Sequence, residues 1–123
     1  MILGRVTNSG VPQIKLPVGE QTWTAVVDTG FNGDLELPDA MRSLVKARFK
    51  GRFRSLLAGG QAILEDVYRV EFPFDGRIVV AEASFVSTNE ILIGTHLLRH
   101  HVLEIDFPGK SIRLQRPSEA EQC

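Results

Sequence analysis

Short runs in which apolar and polar residues alternate, divided by turn residues, dominate the chain and predict a mainly β protein. The first two runs, within residues 5–18, are divided by the turn cluster Asn8-Ser9-Gly10. The next run, from Thr22 to Val27, alternates at first and then becomes continuously apolar, which indicates a strand that enters a buried centre. Residues 34–38 alternate again and predict a fourth strand.

The long segment 53–86 predicts consecutive β-hairpins. Ala58-Gly59-Gly60 divides it once and Asp75-Gly76 divides it again, as expected of hairpin turns. Further strands are predicted at residues 89–94 and on either side of Pro108-Gly109. The pattern therefore predicts about ten short strands.

Two short helical stretches are expected between the strands. Residues 38–47 place Pro38 at a first helical position and Asp39 where a carboxylate favours the helix N-terminus. Residues 95–101 form the second predicted helix, with Thr95 as its N-cap.

Composition narrows the choice of partners and compartment. The 123 residues and the net charge of −1 fit one domain, residues 1–116, followed by a polar tail, residues 117–123. The basic cluster Lys46–Arg54 alternates with apolar residues like a solvated strand face, so no nucleic acid is expected as a partner. No apolar stretch is long enough to span a membrane, and no secretory signal is evident. The single cysteine, Cys123, excludes an intrachain disulfide, so we expect a cytoplasmic protein that binds no membrane.

Candidate chemistry begins where an apolar strand runs into Asp28 and then turns through Thr29 and Gly30. Burying a carboxylate is costly unless its charge is hydrogen-bonded or shared. Thr29 offers a hydroxyl, and Gly30 allows backbone conformations that are closed to other residues. The turn therefore either presents a catalytic acid or ends a strand in a purely structural one.

The stretch AVVDTGFNGDLELP, residues 25–38, resembles the active-site strand and loop of retropepsin-like aspartic proteases. ILIGTHLL, residues 91–98, is similar to that family's second landmark, an apolar pair and a glycine that run beside the active-site loop. LLAGGQA, residues 56–62, stands where the family has its flap. The phenylalanine after Asp-Thr-Gly and the late stretch LEIDF look like a prokaryotic branch of these proteases. The resemblance covers about residues 5–115.

The resemblance implies a closed, antiparallel β-barrel with one or two short helices, active as a homodimer because each chain supplies one Asp28. Two carboxylates in contact cannot both ionise, so the pair holds one proton. The charged Asp28 takes a proton from water, which attacks a peptide carbonyl, and the protonated one donates to the oxyanion. The implied function is an aspartic endopeptidase that acts on a peptide or protein substrate without cofactor or metal. The first and last strands, within residues 3–8 and 111–116, are the expected partners in a dimer sheet, because long edges need covering.

The resemblance also assigns supporting roles around the catalytic acid. Thr29 is expected to bond across the dimer, and Gly30 is expected to offer its carbonyl to the substrate. Phe31 and the flap residues Ala58, Gly59 and Gly60 are expected to contact the substrate, with the flap closing over it.

Two departures from the family pattern bear on function. Phe31 stands where many members have Ala or Ser and cannot donate a hydrogen bond to the carboxylates, so we expect an activity optimum nearer mild acid than strong acid. Thr95 and Asn32 replace an Arg and an acid of the retroviral members, so that ion pair is expected to be absent. The bulk of Phe31 also supports a rival interpretation, a catalytically inactive dimerisation or peptide-binding module in which Asp28 is structural.

Three histidines raise a further alternative. His96 and His100 lie four residues apart on the second predicted helix, and His101 follows. Such spacing can bind a metal and would suit a metal-dependent hydrolase, but no HExxH pattern accompanies it. Surface or packing roles are therefore expected for the histidines, and structural roles for the acids Asp34 and Asp106.

Overall fold

The fold is seen in a computed structural model, which describes residues 1–57 and 59–117. Its strands are β1 Ile2–Val6, β2 Pro12–Val18, β3 Gln21–Val27, β4 Leu35–Pro38, β5 Lys46–Leu56, β6 Ala62–Phe74, β7 Arg77–Val86, β8 Ile91–Ile93, β9 Val102–Asp106 and β10 Ser111–Gln115. The ten predicted strands are thus confirmed, together with the turns that separate them. Ala58 and most of the predicted tail, residues 118–123, lie outside the described residues.

All ten strands form one sheet in the order β5-β6-β7-β4-β8-β3-β2-β1-β10-β9. Neighbours are antiparallel except for β3 with β8 and β4 with β7, which are parallel. Because β8 lies between β3 and β4, these two sequential strands are not neighbours. The loop that joins them, residues 28–34, must therefore pass the end of β8.

The core lies on one face of this sheet, since strand side chains alternate between faces. Along β2 the buried residues are Ile14, Leu16 and Val18, and along β6 they are Val70, Phe72 and Phe74. Strands β2 and β6 touch although four strands separate them in the sheet order. The sheet therefore coils around a single apolar cluster, as the twist of strands favours.

The expected closed, antiparallel barrel is wrong in two respects. The described part of the sheet is open, with β5 and β9 as its edges, and it contains two parallel pairs. Closure would require hydrogen bonds between β5 and β9. Instead β5 pairs with β6 alone, and β9 pairs with β10 alone.

The terminal strands are paired within one chain. Strand β1 pairs with β2 and β10, and β10 pairs with β1 and β9. Their expected role in a dimer sheet stays a prediction.

The predicted helices are much reduced. Residues 38–47 contain a five-residue 3₁₀ helix, Asp39–Ser43, because Pro38 completes β4 and β5 begins at Lys46. Residues 95–100 form successive turns, with Leu98 N–H donating to the Thr95 carbonyl at 3.1 Å, so the second helix was wrongly predicted. No helix in the described part of the chain is long and apolar enough to span a membrane.

Candidate active site

The parallel pairing of β3 with β8 decides where Asp28 lies. Val27, the last residue of β3, is opposite Ile93, the last residue of β8, so the loops that follow both strands emerge at the same end. The ladder continues one step further, since Asp28 N–H donates to the Ile93 carbonyl at 2.9 Å. The two landmarks of the sequence are thus brought side by side.

Asp28 is half-buried, and its carboxylate is held by its own turn. Oδ1 accepts a hydrogen bond from Gly30 N–H at 2.9 Å, while the Asp28 carbonyl accepts from Phe31 N–H at 3.1 Å. A Cβ at Gly30 would lie 3.2 Å from the same carboxylate oxygen, so a larger residue would crowd the turn. Thr29 is exposed, and its role across a dimer stays a prediction.

Three further backbone bonds fasten the active-site loop, residues 28–34, to the segment after β8. Gly94 N–H donates to the Asp34 carbonyl at 3.0 Å, Thr95 N–H to Phe31 at 2.8 Å and His96 N–H to Gly33 at 3.2 Å. Gly94 itself is buried, and a Cβ there would overlap the carbonyl of Gly33 and lie 2.7 Å from that of Phe31. Position 94 therefore accommodates only glycine, because the two backbone segments approach too closely for a Cβ there.

The ring of Phe31 packs on the backbone of its own loop. A Cβ at Gly33 or at Gly94 would meet ring carbons at 2.8 Å, which places the ring against both glycines. The residue is half-buried and forms part of the wall of a groove. Phe31 thus stabilises the loop and shapes the cleft beside Asp28.

Sequence reasoning missed a side-chain contact between an acid and a histidine that joins the same two segments. Asp34, only 7% exposed, contacts Nδ1 of His96 through Oδ1 at 2.5 Å, and its Oδ2 accepts from Glu82 N–H at 2.9 Å. The Arg–acid ion pair of the retroviral members was expected to be absent because Thr95 and Asn32 carry no charge, and the contact of Asp34 with His96 joins the same two segments. The sequence did contain a signal for this contact. Asp34 lies two residues after Asn32, and His96 lies one residue after Thr95, so each landmark stretch contains one of the two partners.

A hairpin arm covers one side of the loop. Strand β6 pairs with β7 only from Tyr68 onward, whereas its pairing with β5 continues out to Ala62 opposite Leu56. A bulge between Phe49 and Gly51 marks where this two-stranded arm leaves the sheet, and bulges bend strands. The arm extends beyond the rest of the sheet, and its role as a flap stays a prediction.

Between the arm and the loop lies a groove of about 560 Å³. It is lined by residues 30–36 of the loop and β4, by Phe53 and residues 55–57 of the arm, and by Glu65, Val67 and residues 82–84. Gly59 and Gly60 form the exposed tip of the arm, both with φ above +80°, and do not line this groove. Ala58 lies outside the described residues.

Glu36 introduces a charge into the groove. Burial raises the pKa of its carboxyl, and the nearby charges of Glu65 and Asp28 raise it further. Glu36 has no hydrogen-bond or ion-pair partner among the described residues.

The histidines do not converge on a metal site. His96 contacts Asp34, whereas His101 is buried and contacts Asp75 at 3.1 Å. Within residues 1–57 and 59–117, no group of three metal-binding side chains comes together.

No protein-family model matches the chain, and no curated protein matches it. Among solved structures, it is similar to a retropepsin-like aspartic protease from Rickettsia conorii, with a TM-score of 0.62, 16% identity, and coverage of 91% of this chain and 87% of that one. It is also similar to a foamy viral protease-reverse transcriptase solved with an RNA/DNA hybrid, with a TM-score of 0.56, 20% identity and coverage of 71% of this chain. That match spans only 11% of the viral protein. The chain therefore has a retropepsin-like fold.

Proposed function

We propose that the chain is an aspartic endopeptidase that works as a homodimer, in which two Asp28 carboxylates share one proton and activate a water molecule. The observation that carries the proposal is the placement of Asp28 beside the groove, at the meeting point of the two loops of a retropepsin-like fold. The sequence Asp-Thr-Gly at this place is what the proposed chemistry requires.

The local geometry supports a functional acid. The Gly30 amide holds one carboxylate oxygen, and the backbone bonds from the segment after β8 keep the loop rigid. Such preorganisation is needed to hold two carboxylates at a fixed separation across a two-fold axis. Thr29, exposed beside Asp28, is proposed to bond across that axis, and Gly30 to offer its carbonyl to a bound peptide.

The peptide or protein substrate is proposed to lie in the groove between the active-site loop and the arm. Phe53 and Leu56 of the arm are exposed apolar residues on the groove wall, suited to contact an extended peptide. Gly59 and Gly60 would close over the peptide when the arm moves. The protein needs no cofactor in this mechanism, and its single cysteine suits a cytoplasmic location.

The test is peptide cleavage by the wild type and by Asp28→Asn across mildly acidic pH. Asp106→Asn is a matched control, because Asp106 also accepts a turn hydrogen bond, from Gly109 N–H at 2.9 Å, but lies outside the groove. We expect Asp28→Asn to abolish cleavage while Asp106→Asn retains it. Specific activity should also rise with protein concentration, since one chain supplies only one Asp28.

Three results would contradict the proposal. Cleavage that survives Asp28→Asn but is lost to a chelator would indicate a metal-dependent hydrolase. Peptide binding without cleavage by the wild type would favour the inactive dimerisation or peptide-binding module, with Phe31 filling part of the cleft. Light scattering that shows a monomer at every concentration would also exclude the shared-proton pair.

A further inference from the structure

Glu36 lies on the same face of the sheet as Asp28. It is opposite Leu92 of β8, which is in turn opposite Val26 of β3. Side chains alternate along β3, so Val26 and Asp28 share one face and the buried Val27 lies on the other. Two strand spacings, about 10 Å, separate the backbones of Glu36 and Val26.

The other two glutamates of the groove already have partners. Glu65 accepts a hydrogen bond from Ser55 Oγ at 3.2 Å, and Glu82 forms an ion pair with Lys50. Glu36 has neither kind of partner within the described residues, and no lysine or arginine there lines the groove. Among the three glutamates of the groove, Glu36 alone therefore has no hydrogen-bond or ion-pair partner within the described residues.

The surroundings of Glu36 favour a cation. The carboxyl is partly desolvated, and the neighbouring acids Glu65 and Asp28 make its ionised form less favourable. A positive charge that entered the groove would gain a charge-assisted hydrogen bond and would relieve this repulsion. An apolar side chain would gain neither, and an acidic one would add to the repulsion.

We propose that Glu36 determines specificity by selecting peptides that carry a lysine or arginine side chain close to the scissile bond. The inference rests on the proposed function and names its substrate class. In an extended peptide, side chains on one face recur about every 7 Å, and a lysine side chain extends about 6 Å. A basic residue within about two positions of the scissile bond can therefore reach Glu36 from a bond held at Asp28.

The experiment compares kcat/KM for matched peptides that carry Lys, norleucine or Glu at each position near the cleaved bond. For the wild type we expect the best-placed Lys to be favoured over norleucine about tenfold. Glu36→Gln should reduce this ratio to near one. Glu36→Lys should favour the Glu peptide, and the exposed Glu90→Gln is the matched control that should leave the preference intact.

The outcomes separate the inference from the function it rests on. Cleavage without a preference for Lys overturns the inference and leaves the peptidase proposal standing. Equal loss of cleavage for all peptides in Glu36→Gln, with folding retained by circular dichroism, also overturns it, because Glu36 would then act in the chemistry. If the wild type cleaves no peptide, the peptidase proposal fails, and fluorescence anisotropy then decides the inference. Equal binding of Lys and norleucine peptides would overturn it.

Discussion

Removing the side chain of Asp34 tests how the active-site loop is held. Its carboxylate is 7% exposed and makes two contacts, one to Glu82 N–H of β7 at 2.9 Å and one to the His96 ring at 2.5 Å. Asp34 directly precedes β4, so its bond to Glu82 continues the pairing of β4 with β7 into the active-site loop. Asp34→Ala breaks both contacts at once.

The two contacts are expected to contribute different amounts to the free energy of unfolding. The part-buried Glu82 amide would lose an ionised acceptor, which costs about 1.5–3 kcal/mol because the N–H remains without a protein partner. The His96 side chain is 57% exposed, so water screens its contact and about 0.5–1 kcal/mol is expected from it. Asp34→Ala should therefore lower the free energy of unfolding by about 3 kcal/mol. Asp34→Asn keeps an acceptor for Glu82 N–H and should cost about 1 kcal/mol, as should His96→Ala.

The measurement is urea unfolding at one fixed protein concentration, because dimerisation changes apparent stability. The expected order of destabilisation is Asp34→Ala, then Asp34→Asn and His96→Ala together. If His96→Ala cost as much as Asp34→Ala, the bond to the Glu82 amide would contribute nothing, and the reasoning would be refuted.

Three further predictions concern stability. Gly94→Ala should lower the free energy of unfolding by more than about 2 kcal/mol and abolish peptidase activity, because its Cβ would overlap the Gly33 carbonyl; urea unfolding and peptide cleavage measure both. Burial alone would raise the pKa of the Asp75 carboxyl, but hydrogen bonds from His101 and the N-terminal ammonium outweigh it and lower that pKa. Ionised Asp75 therefore stabilises the fold at pH values above its ordinary pKa of 3.8, and this stabilisation is lost as the pH falls below that value. Asp75→Asn should be less stable than the wild type near neutral pH, and the difference in stability should vanish in acid unfolding. The pKa of Glu36 is raised, so its ionised form destabilises the fold. Glu36→Gln should therefore raise the free energy of unfolding at neutral pH, and this gain should vanish below pH 4.5. An equal gain at all pH values would contradict this prediction.

The strands could be predicted because their signals are local. Alternation along β2 and β7 and the turn residues at Asn8–Gly10 and Asp75-Gly76 each act within a few positions, so each element was visible in its own stretch. The helices failed for the opposite reason. Residues 38–47 have helical signals, but β4 includes Pro38 at one end of the stretch and β5 begins at Lys46 near the other.

The candidate site was predictable only in part. The turn at Asp28 was visible because Thr29 and Gly30 follow it directly. Pairing between distant residues was not: the contact of Asp34 with His96 joins positions 62 residues apart, and hydrophobic periodicity carries no information about which strands become neighbours. The charge of Glu36 was visible, but its place in the groove was not.

The sequence by itself determined the mainly β class, the approximate places of the strands and the acid-bearing turn, because backbone propensity and side-chain alternation depend on near neighbours. Only the tertiary structure decided that β8 inserts between β3 and β4, that the sheet stays open, and that the loops after β3 and β8 meet. These features depend on which apolar faces can be buried together by the whole chain. The surroundings of Asp28 follow from that choice of neighbours, and so does the position of Glu36 in the groove beside it.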